Sequence, residues 1–233
     1  MKISVFSIPE ITAGKHNIRD TRLDEVDNIV KAKKKTYVQV EVVPEEAALD
    51  SDAILIREGY RTDLILKDLE FVDTRLSRSN DETEKSLLAK LKGALEKEEF
   101  VLNVPLNDAE KKIFITYGLY TSRPIIIAGS QDMEDTNALL ARCLKESGFI
   151  SFFTTGEKET RAWLIKKGTT AWEASGAIHS DIQRGFIRAE IISFNDFITL
   201  RGESKARQAG KLRLEQRDYI MQDADLANFR FNK

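Results

Sequence analysis

The sequence predicts an α/β protein in two parts: a small, mostly parallel sheet with a helical insertion, followed by an α+β unit. Three observations carry this. Up to about residue 148, apolar segments of strand length alternate with stretches of helical periodicity. One segment, Ile125-Ile126-Ile127-Ala128, is continuously apolar, as a strand buried on both faces of a parallel sheet would be. From residue 151 the texture changes to short strands around one main helix.

Taken in order, residues 1–8 read as a first buried strand. Residues 9–21, with Pro9, Gly14 and scattered polar residues, read as loop. Leu23, Val26, Ile29 and Val30 recur at helical spacing, and the basic run Lys31 to Lys35 reads as a solvated helix end, where cations suit the dipole. Thr36 to Val43 alternates and is rich in Val, so it reads as a strand; Asp52 to Arg57 is another. Residues 61–102 look helical, opened by Leu64, Leu66, Leu69 and Phe71 and continued by Leu87, Leu88, Leu91 and Leu95. The polar stretch from Ser77 to Asp81 suggests a hairpin bent there. Residues 107–117 form a short helix capped by Asn107 or Asp108. Helix 134–147 ends at Gly148. Beyond it, strands are expected at Arg161–Ile165, Gly185–Ile192, Leu212–Leu214, Tyr219–Met221 and Asn228–Phe231. Helices are expected at Thr170–His179 and Ser204–Ala209. A mixed sheet crossed by one helix suits a ubiquitin-like β-grasp, and other α+β folds satisfy the same spacing.

The chain has 233 residues, 42% hydrophobic and 32% charged, enough to bury a core and stay in water. No apolar run approaches the roughly 20 residues that span a bilayer, and the start turns polar too quickly for a signal peptide. No membrane association is expected. Cys143 is the one cysteine, which excludes an internal disulfide framework and makes a cytoplasmic location the simplest expectation. Among Leu139, Leu140 and Leu144, it reads as a buried small hydrophobe. With two histidines and one cysteine, no metal-ligand spacing exists, and neither a metal nor a cofactor is expected. The net charge of -2 hides an asymmetry: residues 151–233 hold 14 Lys+Arg against 11 Asp+Glu, so +3, leaving -5 for the rest. That excess permits nucleic-acid contact without demanding it.

The stretch from Phe152 to Asn232 carries a dense set of segments. They are Phe153-Thr154-Thr155-Gly156, Arg161-Ala162-Trp163, Ile178-His179-Ser180-Asp181, the run from Gly185 to Glu190, the run from Gly210 to Glu215, Asp218-Tyr219-Ile220 and Phe229-Arg230-Phe231-Asn232. Together they resemble the C-terminal TGS domain of the YchF (Obg-like) ATPases. Asp223-Ala224-Asp225 departs from that family's Asp-Gly-Asp, and Ala narrows the backbone choices there. The first part resembles the same family's GTPase-type domain, much shortened, through Asp20-Thr21-Arg22-Leu23-Asp24, Asp52-Ala53-Ile54 and the approach from Leu106 to Ile125. The resemblance implies a degenerate P-loop-GTPase-like α/β domain over 1–148, with a helical insertion at about 61–102. A β-grasp TGS domain over 149–233 is implied to follow.

The nucleotide motifs read poorly. A phosphate-binding loop needs two glycines, then Lys and Ser/Thr. Around Gly14-Lys15 the first Gly is missing and His16 follows the lysine. Counting back from Asp20, this Gly matches a later loop of the family. Where the family has Asp-x-x-Gly the chain has Pro44-Glu45-Glu46-Ala47, which reads as a solvated turn. Where the family reads the base with Asn, it has Gly129-Ser130-Gln131-Asp132. The expectation from sequence is therefore a non-catalytic protein, not an enzyme, with nucleotide disfavoured as a partner. The resemblance implies the ribosome, RNA or another protein as partner, met through the TGS domain. The alternative is a residual binder of ATP, GTP or guanosine tetraphosphate without efficient hydrolysis. Candidate partner-binding residues are Arg161, His179, Arg184, Arg188, Lys211, Arg213 and Arg217, with Arg201, Lys205 and Arg207 as further contributors to a basic surface. His179 also reads as a helix cap, and Trp163 and Trp172 as packing residues.

Overall fold

The computed structural model describes residues 1–232. In chain order the strands and α-helices begin with β1 (Lys2–Phe6), β2 (Gly14–Ile18), α1 (Thr21–Val30), β3 (Lys35–Thr36), β4 (Val38–Val43) and β5 (Ala53–Arg57). Then come α2 (Arg61–Arg78), α3 (Glu82–Leu95), α4 (Asp108–Phe114), β6 (Ile125–Ala128), α5 (Thr136–Glu146), β7 (Phe149–Thr154) and β8 (Thr160–Lys166). The last are α6 (Ala171–Ile178), α7 (Ser180–Arg184), β9 (Phe186–Ile192), α8 (Phe194–Thr199), α9 (Glu203–Gln208), β10 (Arg213–Glu215) and β11 (Leu226–Phe231). The chain forms two compact bodies. One comprises Met1–His16 and Val40–Ser147, the other Asn17–Gln39 and Gly148–Lys233. The expected division into 1–148 and 149–233 therefore needs one correction: residues 17–39 cluster with the C-terminal segment, because α1 and β3 pack on β8.

The first sheet has the order β2-β4-β1-β5-β6, and β1 pairs in parallel with β4 and β5, as β5 does with β6. Ala53, Ile54, Leu55 and Ile56 are all fully buried, as a central parallel strand requires. Residues 9–21, read above as loop, contain β2. Its polar sequence Gly-Lys-His-Asn-Ile gives no periodic signal because it is an edge strand with one wet face. The helical insertion is a hairpin. Asp81 caps α3 by accepting from the Glu84 N–H, and Val72, Leu87, Leu88, Leu91 and Leu119 fill the interior. Asp68, buried on α2, accepts from both N–H groups of Tyr120 and Thr121 and from the Thr121 hydroxyl. This ties the hairpin to the segment leading into β6.

The second sheet has the order β10-β9-β11-β7-β8-β3, mixed in direction. The helix α6 lies across one face: its Ala171 and Ala174 share a core with Phe152, Ile165, Ala189, Ile191 and Phe229. Residues 219–221, expected as a strand, contribute only a single bridge, Ile220 to Thr170. The strand β7, Phe-Ile-Ser-Phe-Phe-Thr after Gly148, was not anticipated.

Candidate functional site

Strand alternation sorts the basic residues of the second body. Ala189, Ile191 and Phe229 point to α6, so Arg188, Glu190 and Arg230 point to the other face. Arg213 stands opposite Ile191 and so belongs to the α6 side. The anticipated basic surface is thus divided between two sides of one sheet.

On the α6 side, Arg161 lies over the Trp163 ring at 4.0 Å, and the Trp163 Nε1 donates to Thr154 Oγ1 at 2.9 Å. Arg161 and Trp163 line an open groove of about 270 Å³ with Asn17, Thr36, Tyr37 and Gln39. Arg217 stacks on Trp172 at 4.9 Å, and Trp172 donates to the Gln183 carbonyl. Both tryptophans are half-buried packing residues. Arg213 donates to the Tyr219 hydroxyl at 3.0 Å and sits 3.6 Å from the buried Asp225. Burial pushes the Tyr219 hydroxyl up to about 12 and raises Asp225 as well. His179 caps α7: its Nδ1 accepts the Asp181 N–H at 3.1 Å. Asp181 in turn binds Arg184, whose hydrogen bond holds that carboxyl below its usual range. Lys211 pairs with Asp196 at 3.3 Å.

On the other side, three arginines meet one carboxylate. Glu190 is 5% exposed. Arg230 hydrogen-bonds it at 2.9 Å, Arg207 of α9 stands at 3.5 Å and Arg188 at 3.6 Å. The Arg230 hydrogen bond is the chief reason that the Glu190 carboxyl lies low. Sequence reading found Arg188 and Arg207 but missed Arg230 and Glu190 as partners, because the β9–β11 register is invisible in one sequence.

The C-terminal edge of the parallel sheet is the place where such sheets hold ligands. There Arg57 pairs with Glu10 of the loop after β1. Past β6, Asp132 accepts the Gly129 N–H at 2.8 Å and pairs with Arg142. Lys67 pairs with Glu45 and lies over Phe6 and Tyr120. The loop after β1 leads into β2, not into a helix. Among the described residues no cluster of three His, Cys, Asp or Glu could hold a metal, and no helix is long and apolar enough to cross a membrane.

Comparison with known proteins places these features. The family YchF-GTPase_C, described as a protein of unknown function (DUF933), matches residues 149–232. The "Ribosome-binding ATPase YchF" of Escherichia coli O157:H7 is 56% identical over 82 residues, 35% of this chain and 23% of that protein. The match to this relative thus spans about a quarter of its length. The Bacillus subtilis protein of the same name is 31% identical over 240 residues, 75% of this chain and 66% of that protein. The solved Schizosaccharomyces pombe YchF GTPase superposes with a TM-score of 0.77 at 18% identity, covering 99% of this chain and 97% of that one. That likeness shows a shared α/β fold with two sheets. The expectations that the chain is not an enzyme and that nucleotide is disfavoured are corrected here. These relatives are named ATPases and a GTPase, which points to a nucleotide hydrolase. The expectation rested on three motif losses, in the loop around Gly14-Lys15, at Pro44-Glu45-Glu46-Ala47 and at Gly129-Ser130-Gln131-Asp132, and a parallel sheet's C-terminal edge offers side chains beyond those motifs.

Proposed function

Because the chain belongs to the YchF family, we propose that it is a nucleotide-using, ribosome-associated protein whose second body makes the ribosome contact. The observation that carries this is the distribution of identity. It reaches 56% over the 82 residues shared with the Escherichia coli ribosome-binding ATPase, and the family model matches the same body, residues 149–232. The six-stranded sheet crossed by α6 supports reading that body as a β-grasp of the TGS kind. Nucleotide, as substrate, is assigned to the C-terminal edge of β1, β5 and β6. With β2 in place of a helix after the first loop, no helix N-terminus is offered to phosphate at that position. Phosphate contact then falls to side chains, Arg57 foremost, once it exchanges Glu10 for the ligand.

Pelleting with purified ribosomes over a salt series, with and without ATP or GTP, tests the reading. The protein is expected to pellet at low salt and to release as salt rises. ATP or GTP hydrolysis is expected above a blank, and Arg57→Gln should weaken nucleotide binding about tenfold. Failure to pellet under every condition sinks the ribosome reading. Absence of turnover with and without ribosomes sinks the nucleotide reading.

A further inference from the structure

The strand β8 is covered unequally on its two edges. It pairs with β7 from Arg161 to Lys166. Its other edge meets β3 at Thr160 and Arg161 only. Past Thr36 the pairing stops. Tyr37, Val38 and Gln39, with Asn17, line the groove of about 270 Å³ beside Ala162, Trp163 and Leu164. The Thr160 N–H donates outward to the Lys34 carbonyl at 2.9 Å, whereas the Lys167 N–H donates to the Gly148 carbonyl, on the β7 side, at 2.8 Å. Main-chain groups of alternate residues share an edge of a strand, so Ala162, Leu164 and Lys166 present theirs outward with Thr160. No strand stands opposite Leu164 and Lys166 there. Each therefore offers one donor and one acceptor to whatever lies alongside.

The charges along this edge are positive and lack acidic partners. Arg161 lies over the Trp163 ring and makes no ion pair among the described residues. Glu159, the carboxylate that feels its charge, already accepts from the Thr36 hydroxyl at 2.5 Å and pairs with Lys34 at 3.3 Å. Asp24, which binds Tyr37, is also taken up by Lys35 and Arg19. At the far end Lys166 lies over the Phe149 ring at 5.9 Å and Lys167 is exposed. A free strand edge is a template for another strand. Phosphate oxygens only accept, so a phosphate backbone would leave the outward carbonyls unpaired, whereas a peptide main chain supplies both partners.

We propose that the outer edge of β8 takes up an extended acidic segment of another protein as an added strand, its carboxylates meeting Arg161, Lys166 and Lys167. Main-chain hydrogen bonds supply the affinity, and the guanidinium held on Trp163 selects for acid. This contact needs neither ribosome nor nucleotide.

The test uses the full chain and fluorescent peptides of about six residues that alternate Glu with Val, Ile, Phe or Tyr. Controls are lysine-for-glutamate copies and copies N-methylated on one or the other alternate set of main-chain nitrogens. Anisotropy gives affinity, and amide exchange locates the contact. At least one acidic peptide is expected to bind and to slow exchange at the Leu164 and Lys166 amides. Methylation of one set should abolish binding, and methylation of the other should leave it. Arg161→Gln should weaken binding about tenfold with little change in melting. Leu164→Pro removes one outward N–H, which an edge position tolerates, and should also weaken binding, its melting curve checking that the sheet stands. No binding by any acidic peptide, equal binding of the lysine copies, or indifference to both methylated sets would overturn the proposal. Slowing of the same amides by an RNA hairpin and not by the peptides would overturn it too.

Discussion

Gly185 shows how much one hydrogen atom can decide. A Cβ there would lie 2.0 Å from the backbone oxygen of Asn232, and the Asn232 N–H donates to the Gly185 carbonyl at 2.9 Å. Backbone lies against backbone, so nothing flexible can give way. Gly185→Ala is expected to cost about 2 kcal/mol or more, seen as a lowered denaturant midpoint. It should also fray the ends of β9 and β11, where the pairing already shifts register at Arg230/Phe231. An unchanged midpoint would contradict this. The sequence showed Gly185 only as the start of a strand, since its constraint comes from a segment far along the chain. Ala224 was more legible. The departure from glycine was visible, and the residue indeed sits at φ 64, a region costing an L-residue about 1 kcal/mol. Its N–H donates to the Ser151 carbonyl at 2.7 Å, which holds the turn. Cys143 was equally legible: it is buried, and burial pushes its thiol up to about 12.

Among the elements, the hairpin of α2 and α3 was the most readable, because leucines at helical spacing leave one period to choose. Its closing contact was not readable. Glu84 binds Ser79, Tyr117 and Arg75, three partners spread along the chain. The Ser79 hydroxyl, then Tyr117 and Arg75, bring its carboxyl from 4.5 down to about 2. A lowered folded pKa stabilises the fold above the unfolded value and loses that contribution as pH falls from about 4.5 toward 2. The wild-type hairpin is therefore expected to soften across that window, seen as faster amide exchange around residues 79–84. Glu84→Gln should be less stable at neutral pH and show a flatter acid response. Parallel acid profiles for the two proteins would argue against the contact. The strands β2 and β7 were missed for opposite reasons. The first is too polar to show a buried face, and the second, with apolar neighbours on both sides of Ser151, does not alternate.

At the scale of the whole molecule, the second body is discontinuous in sequence, which composition and periodicity do not encode. The chain leaves one body within β2 and returns within β4. Leu23 and Val26 of α1 are fully buried. Arg22 pairs with Asp223 at 2.7 Å, and Lys34 accepts from the Thr160 N–H at 2.9 Å. A piece comprising 149–233 alone should therefore lack on the order of 4 kcal/mol of burial that Leu23 and Val26 provide. It should melt earlier than a mixture with a peptide of residues 17–39. Identical melting with and without the peptide would show that this segment is dispensable. The same discontinuity sets a schedule during synthesis. Residues 17–39 emerge early, and the strand they pair with emerges more than a hundred residues later, Thr36 meeting Glu159 across 123 positions. Closing so long a loop carries an entropic cost of about 4 kcal/mol. The apolar face of α1 thus waits uncovered while the remainder of the first body is made, and the second body is completed after the first.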